Sequence, residues 1–158
     1  MKAMIAAVLL AGTAQAQAPA VPSFLSAGEV RTLIARAQRE IRPGQPTLSL
    51  PMVTADGYTA RLEYRQSVGP AAIHETETEL FYVLEGSGTL ITGGALVNGS
   101  PRAGGNLSGT TIDGGMPRPV RPGDMIVVPA GTPHFFSAID GKLVLVSLHM
   151  PAGAAAKR

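Results

Sequence analysis

The chain has no cysteine and only three histidines in 158 residues. Without cysteine it has neither a disulfide to staple an exported domain nor a thiolate nucleophile. It also lacks any cluster of lysine and arginine: 13 basic residues stand scattered against 11 acidic ones. That excludes the basic patch that a nucleic-acid or anionic-membrane partner requires. Beyond the first residues no segment reaches the roughly 18 apolar residues of a spanning helix. No Ser-His-Asp arrangement is supported by spacing. These absences leave metal, general acid–base or binding-driven chemistry.

What is present points to one globular domain, 45% hydrophobic and 15% charged. Nineteen glycines and 13 prolines favour short strands and turns over a helical bundle. Met1 and Lys2 precede an apolar stretch, Ala3 to Gly12, and the small-x-small site Ala14-Gln15-Ala16. This predicts a signal peptide over residues 1–16, cleaved after Ala16 or Ala18, and hence a periplasmic or secreted protein. Without residues 1–16 the count is 12 basic to 11 acidic. The N-x-S triplets at Asn98 and Asn106 read as chance.

An arm and helix are expected over residues 17–45. Ser26-Ala27-Gly28-Glu29 matches a capping box, and Val30, Leu33, Ile34, Ala37 and Ile41 follow at helical spacing. Pro43-Gly44 ends the helix near Arg42. The period then changes to two. Thr47–Val53, Gly57–Val68, Thr78–Glu85, Gly88–Thr92, Asp124–Pro129, Pro133–Ile139 and Leu143–His149 read as strands, with a turn at Gly86-Ser87. Residues 93–117 read as a long loop or weak hairpins, and residues 151–158 as a loose tail. The fold class is therefore all-β: a small antiparallel barrel or jelly roll over residues 46–150, preceded by one amphipathic helix.

Two stretches carry the chemistry. Gly69 to Gly88 reads GPAAIHETETELFYVLEGSG, and Gly123 to His134 reads GDMIVVPAGTPH. Together they resemble the two motifs of the cupin superfamily. The first runs G, five residues, H-x-H, about four residues, E, six residues, G; here Gly69, His74, Glu79 and Gly86 match. Ala72 stands where that motif has its first histidine. The second runs G, five residues, P-x-G, two residues, H, three residues, N; Gly123, Pro129, Gly131 and His134 match, and Ala138 replaces the asparagine. The resemblance implies a metal site of His74, Glu79 and His134, one ligand short of the usual three histidines and one glutamate. Imidazole with carboxylate suits a divalent transition metal such as Fe, Mn, Zn or Ni. The family's reactions include dioxygenation, isomerisation, epimerisation, decarboxylation and lyase chemistry on small molecules. Many of its small members pair as homodimers.

Three residues could replace the missing ligand: Glu75, Glu77 and His149. Glu75 should face away from His74, Glu77 falls in the expected turn, and His149 ends the last strand, where local satisfaction is the plainer reading. A substrate would meet Tyr64, Arg65 and His149. Arg61, Glu63 and Arg65 share one strand face; exposed charge alternation makes that a solvated, salt-bridged surface, the alternative being an arginine fork for a substrate carboxylate. Tyr64, Phe81, Phe135 and Phe136 are core candidates. A non-catalytic barrel holding a sugar or aromatic acid is the alternative to an enzyme.

Overall fold

The computed structural model describes residues 22–153. The expected leader, residues 17–21 of the arm and residues 154–158 of the tail lie outside the described residues. One helix, α1 (Ala27–Glu40), precedes eleven strands: β1 (Thr47–Ala55), β2 (Tyr58–Arg65), β3 (Ala71–His74), β4 (Glu77–Thr92), β5 (Ala95–Val97), β6 (Ser100–Pro101), β7 (Asn106–Gly109), β8 (Thr111–Asp113), β9 (Met116–Val120), β10 (Met125–Val128) and β11 (His134–Pro151). Every pairing is antiparallel. The jelly-roll class expected from the strand pattern is the one observed.

The helix starts where its capping box says. The Glu29 amide donates to Ser26 Oγ at 3.3 Å, and the Ser26 amide donates to Glu29 Oε2 at 2.7 Å. These bonds satisfy amides that the first turn would otherwise leave without partners. β1 and β2 are joined by Asp56 and Gly57, both at positive φ, the backbone a two-residue hairpin turn demands.

Strand β11 organises the rest. It pairs with β2 through Leu143–Ser147, with β4 along nearly its whole length, and with β3 at His134. β4 carries β10 and β9 in succession on its other edge, and β3 continues into β7 and β6. Gly86-Ser87 makes no turn: β4 runs through it, and the register against β11 shifts there, between Ile139 and Leu143. Gly86 has φ +76°, and a Cβ on it would lie 1.9 Å from the Lys142 carbonyl. Only glycine lets the two strands close at this bulge. The same irregularity keeps β11 one strand across residues 140–142, where a break was expected. Residues 93–117 form the short strands β5 to β8 and the start of β9.

The interior divides into two main apolar clusters. Inside the barrel, Phe81, Val83, Leu90, Val120, Val128, Phe136, Leu143 and Leu145 pack together. Outside it, Ile34 and Ala37 of α1 cover Leu50, Met52, Leu62, Tyr64 and Val144. Alternation along β2 and β11 thus sends Leu62, Tyr64 and Val144 to the helix and Glu63, Leu143, Leu145 and Ser147 inward. Among the described residues no helix is long and apolar enough to cross a membrane.

Candidate metal centre

Glu79 lies on the inward face of β4, two residues before Phe81, and is 3% exposed. Three imidazoles surround its carboxylate. His134 Nε2 is 3.1 Å and His74 Nε2 3.3 Å from Oε2; His149 Nε2 is 3.1 Å from Oε1. His149 stands directly across from Glu79 in the β4–β11 register. His134 opens the same strand, eighteen residues long, at its far end. The turn Pro129–Thr132 delivers it: Gly131, at φ +74°, donates its amide to the His74 carbonyl at 2.8 Å, tying the second motif to β3.

The other ring nitrogens face outward to oxygens. His134 Nδ1–H donates to the Thr132 carbonyl at 3.0 Å. The Asn106 amide nitrogen donates to the Ala103 carbonyl, which turns Asn106 Oδ1 toward His74 and makes it the acceptor of His74 Nδ1–H at 2.9 Å. His149 Nδ1 is buried without a hydrogen bond, 3.4 Å from Glu77 Oε2. With Nδ1 protonated on His74 and His134, a neutral ring presents a bare Nε2 lone pair to a carboxylate lone pair. Such an arrangement holds together only around positive charge: protons on the rings or a bound cation. The rings feel that pull. Hydrogen bonding to Glu79, against the opposing effect of burial, raises the affinity of His74 and His149 for protons. Burial disfavours the Glu79 anion, but hydrogen bonds from His134, His149 and His74 outweigh it and hold the carboxyl far below the usual range.

The donor set fits a divalent transition metal. Metal–nitrogen bonds of about 2.0–2.1 Å place neighbouring donors roughly 3.0 to 3.4 Å apart, from right-angled to tetrahedral arrangements. The observed nitrogen–oxygen separations of 3.1 to 3.3 Å lie in that interval. His74, Glu79 and His134 offer donors within 4.8 Å of one another, and so do His74, Glu77 and His149.

A cavity of about 300 Å³ opens onto the cluster, lined also by Thr47, Glu63, Arg65, Pro70, Ala72, Phe135 and Phe136. Arg65 is bound through Nε and Nη2 to Glu63 Oε2, and its guanidinium lies 4.7 Å over the Phe136 ring. Glu63 Oε1 accepts from Ser147 Oγ at 2.9 Å. Glu63 and Arg65 therefore line the interior and do not form a solvated surface, because α1 covers the other face of β2, while Arg61 on the same face is half-buried on Ser49. Tyr64, expected to meet a substrate, belongs to that covered face and is buried against α1. A larger hollow of about 420 Å³ beside β9 and β10 contains no histidine.

A family model for Cupin matches residues 47–155. The chain belongs to the cupin family. No curated protein matches this cupin. Among solved structures it is similar to the DMSP lyase DddQ from Ruegeria pomeroyi, 16% identical with a TM-score of 0.53, the match covering 91% of this chain and 79% of that one. A protein from Bacillus halodurans is 19% identical with a TM-score of 0.52, covering 83% of each chain. The Fe(II) form of HppE is 14% identical with a TM-score of 0.50, covering 67% of this chain and 52% of that one. At these identities the likeness shows the fold alone.

Within the cupin motifs, the structure gathers His74, Glu79 and His134, and Ala72 faces the same cavity across from His134. It also brings in His149, whose plainer reading was a locally satisfied strand end, and Glu77, which opens β4 and does not sit in a turn. Asn106 and Glu63 were missed as site residues. Asn106 lies in a glycine-rich stretch with no local signal; only the pairing His74↔Asn106 reveals it. The signal for Glu63 was its parity with Arg65.

Proposed function

We propose that this cupin is a metal-dependent enzyme acting on a small oxygenated molecule, with Fe, Mn, Zn or Ni held by His74, Glu79 and His134. The observation that carries this reading is the convergence of bare Nε2 atoms on one buried carboxylate, at separations suited to a shared ion. Bound there, a divalent metal supplies Lewis acidity or a site for O₂. The chain's own residues do the rest. Arg65, held by Glu63 and Phe136, orients the anionic or oxygen-rich end of the substrate from the opposite wall. The buried rings of Phe135 and Phe136 give the cavity an apolar wall that keeps water from it. Of the groups suited to moving protons, Tyr64 faces α1 and Glu75 is exposed in the bend between β3 and β4; Glu77, partly exposed beside His149, exchanges them with solvent. The class is oxygenase, isomerase or lyase, and the leader over residues 1–16 directs the protein to the periplasm or outside the cell.

Elemental analysis of the untagged protein as isolated tests the reading. About one transition metal per chain is expected, with His134→Ala and His74→Ala each losing it. Full retention by both variants ends the proposal. The alternative, a non-catalytic sugar- or aromatic-acid-binding barrel, is favoured by Ala72 in the first ligand position. It is supported instead if ligands raise the melting temperature equally with and without chelator and no product forms.

A further inference from the structure

The three histidines share a feature that the family motifs do not require. Each turns Nε2 toward Glu79 and Nδ1 toward an oxygen: Asn106 Oδ1 for His74, the Thr132 carbonyl for His134, Glu77 Oε2 for His149. An imidazole whose Nδ1 faces an outer oxygen is the usual arrangement of a metal-bound histidine, since the outer contact fixes tautomer and ring orientation. His149 turns the same two edges the same two ways, although its Nδ1 stands 3.4 Å from Glu77 Oε2 without a hydrogen bond and it comes from the opposite end of β11 from His134.

The two donor sets, His74–Glu79–His134 and His74–Glu77–His149, share His74. His74 Nδ1 is committed to Asn106, so it has one free lone pair. Two ions cannot both draw on it. The two sets are therefore alternatives for a single ion, and His149 meets the first set through Glu79, its Nε2 standing 3.1 Å from Oε1. The His149 ring stands at 90° to that of His74, centroids 4.6 Å apart, so both edges reach the same region without stacking. The corner where the family places its first histidine holds only the methyl group of Ala72. His149 enters the cavity from a different strand and brings the imidazole count back to three.

We infer that His149 Nε2 is the fourth protein ligand of the metal centre, replacing the histidine absent at position 72, with Glu77 as its outer carboxylate partner. The inference rests on the metal reading above and can fail separately from it. Glu77 is a positioning residue here: its carboxylate orients His149.

The test uses the purified full chain, stripped and reloaded with Zn²⁺ for chelator competition or with Cu²⁺ for electron spin-echo spectroscopy, which counts coordinated imidazoles. Wild type should show three imidazoles. His149→Ala and His149→Gln, the second preserving volume, should each show two and bind Zn²⁺ at least about a hundredfold more weakly. Glu77→Gln should keep three imidazoles and weaken binding about tenfold. Ala72→His combined with His149→Ala should return the count to three. A wild type that binds neither ion overturns the metal reading itself. A wild type that binds both, matched in affinity and imidazole count by the folded His149 variants, overturns the fourth ligand alone.

Discussion

Leu62 and Tyr64 on one face of β2, and Arg61, Glu63 and Arg65 on the other, are all withdrawn from full solvent contact, but by different means. The apolar face is sealed by α1, with Leu62 fully buried and Tyr64 packed among Ile34, Ala37, Leu50 and Val144. The charged face turns into the barrel, where each group has found a partner: Arg61 on Ser49, Arg65 on Glu63, Glu63 on Ser147. One strand thus separates an apolar layer under the helix from the polar lining of the candidate site. The apolar side gains from area removed from water. The polar side is held by a network in which each member is costly to leave alone.

The largest effect should come from the sealed face. Leu62→Ala removes a fully buried side chain between helix and sheet. It should lower the unfolding free energy by about 2–5 kcal/mol, read by urea denaturation, while the folded protein keeps its metal content. Loss of metal from still-folded Leu62→Ala would break the division of labour between the two faces.

The inner face should respond to pairing and not to size. Glu63→Leu leaves the Arg65 guanidinium without its acceptor and Ser147 Oγ without its partner. Because Arg65 keeps 17% of its side-chain exposure, some solvation returns and the cost should be about 1–3 kcal/mol. Combining it with Arg65→Met should recover most of that loss in a double-mutant cycle. Costs that simply add would mean the pair is uncoupled and the interior is held by packing alone.

This division also explains what was legible in the sequence. The capping box Ser26–Glu29 and the strand periodicity are local, and they placed α1 and most strands. The spacing of Gly69, His74, Glu79, Gly123, Pro129 and His134 placed the cluster. Charge alternation along β2 misled, because alternation tells which residues share a face but not which face meets water. That depends on where α1 docks, eighteen or more residues upstream of β2. His149 and Asn106 failed for a related reason: each meets the site through a cross-strand register, His149↔Glu79 and Asn106↔His74, and register is a long-range property. Gly86 was read as a turn because positive-φ glycine is common there; the close approach of the Lys142 carbonyl requires glycine equally.

The smallest expected effect separates the two faces by their response to pH. In protein kept metal-free by chelator, Glu79 is held below the usual carboxylate range; burial works against this, but its three histidine partners prevail. A group depressed on folding stabilises above its unfolded value, about pH 4.3, and that contribution fades as pH falls. His74 and His149 are shifted upward, chiefly by hydrogen bonding to Glu79, so their contribution is complete below about pH 6.5 and is lost as pH rises through their folded values. Metal-free stability should therefore be greatest between roughly pH 4.3 and 6.5 and decline toward pH 8. Saturating Zn²⁺ should flatten or reverse the upper limb, because deprotonated imidazoles bind the ion better. Glu79→Gln should remove the upper limb, whereas Leu62→Ala should lower the whole curve without changing its shape, since Leu62 packs in an apolar cluster under α1. Urea midpoints measured across this range read the difference directly. A metal-free wild type with constant stability from pH 6 to 8 would mean that the imidazoles do not share the Glu79 carboxylate in solution.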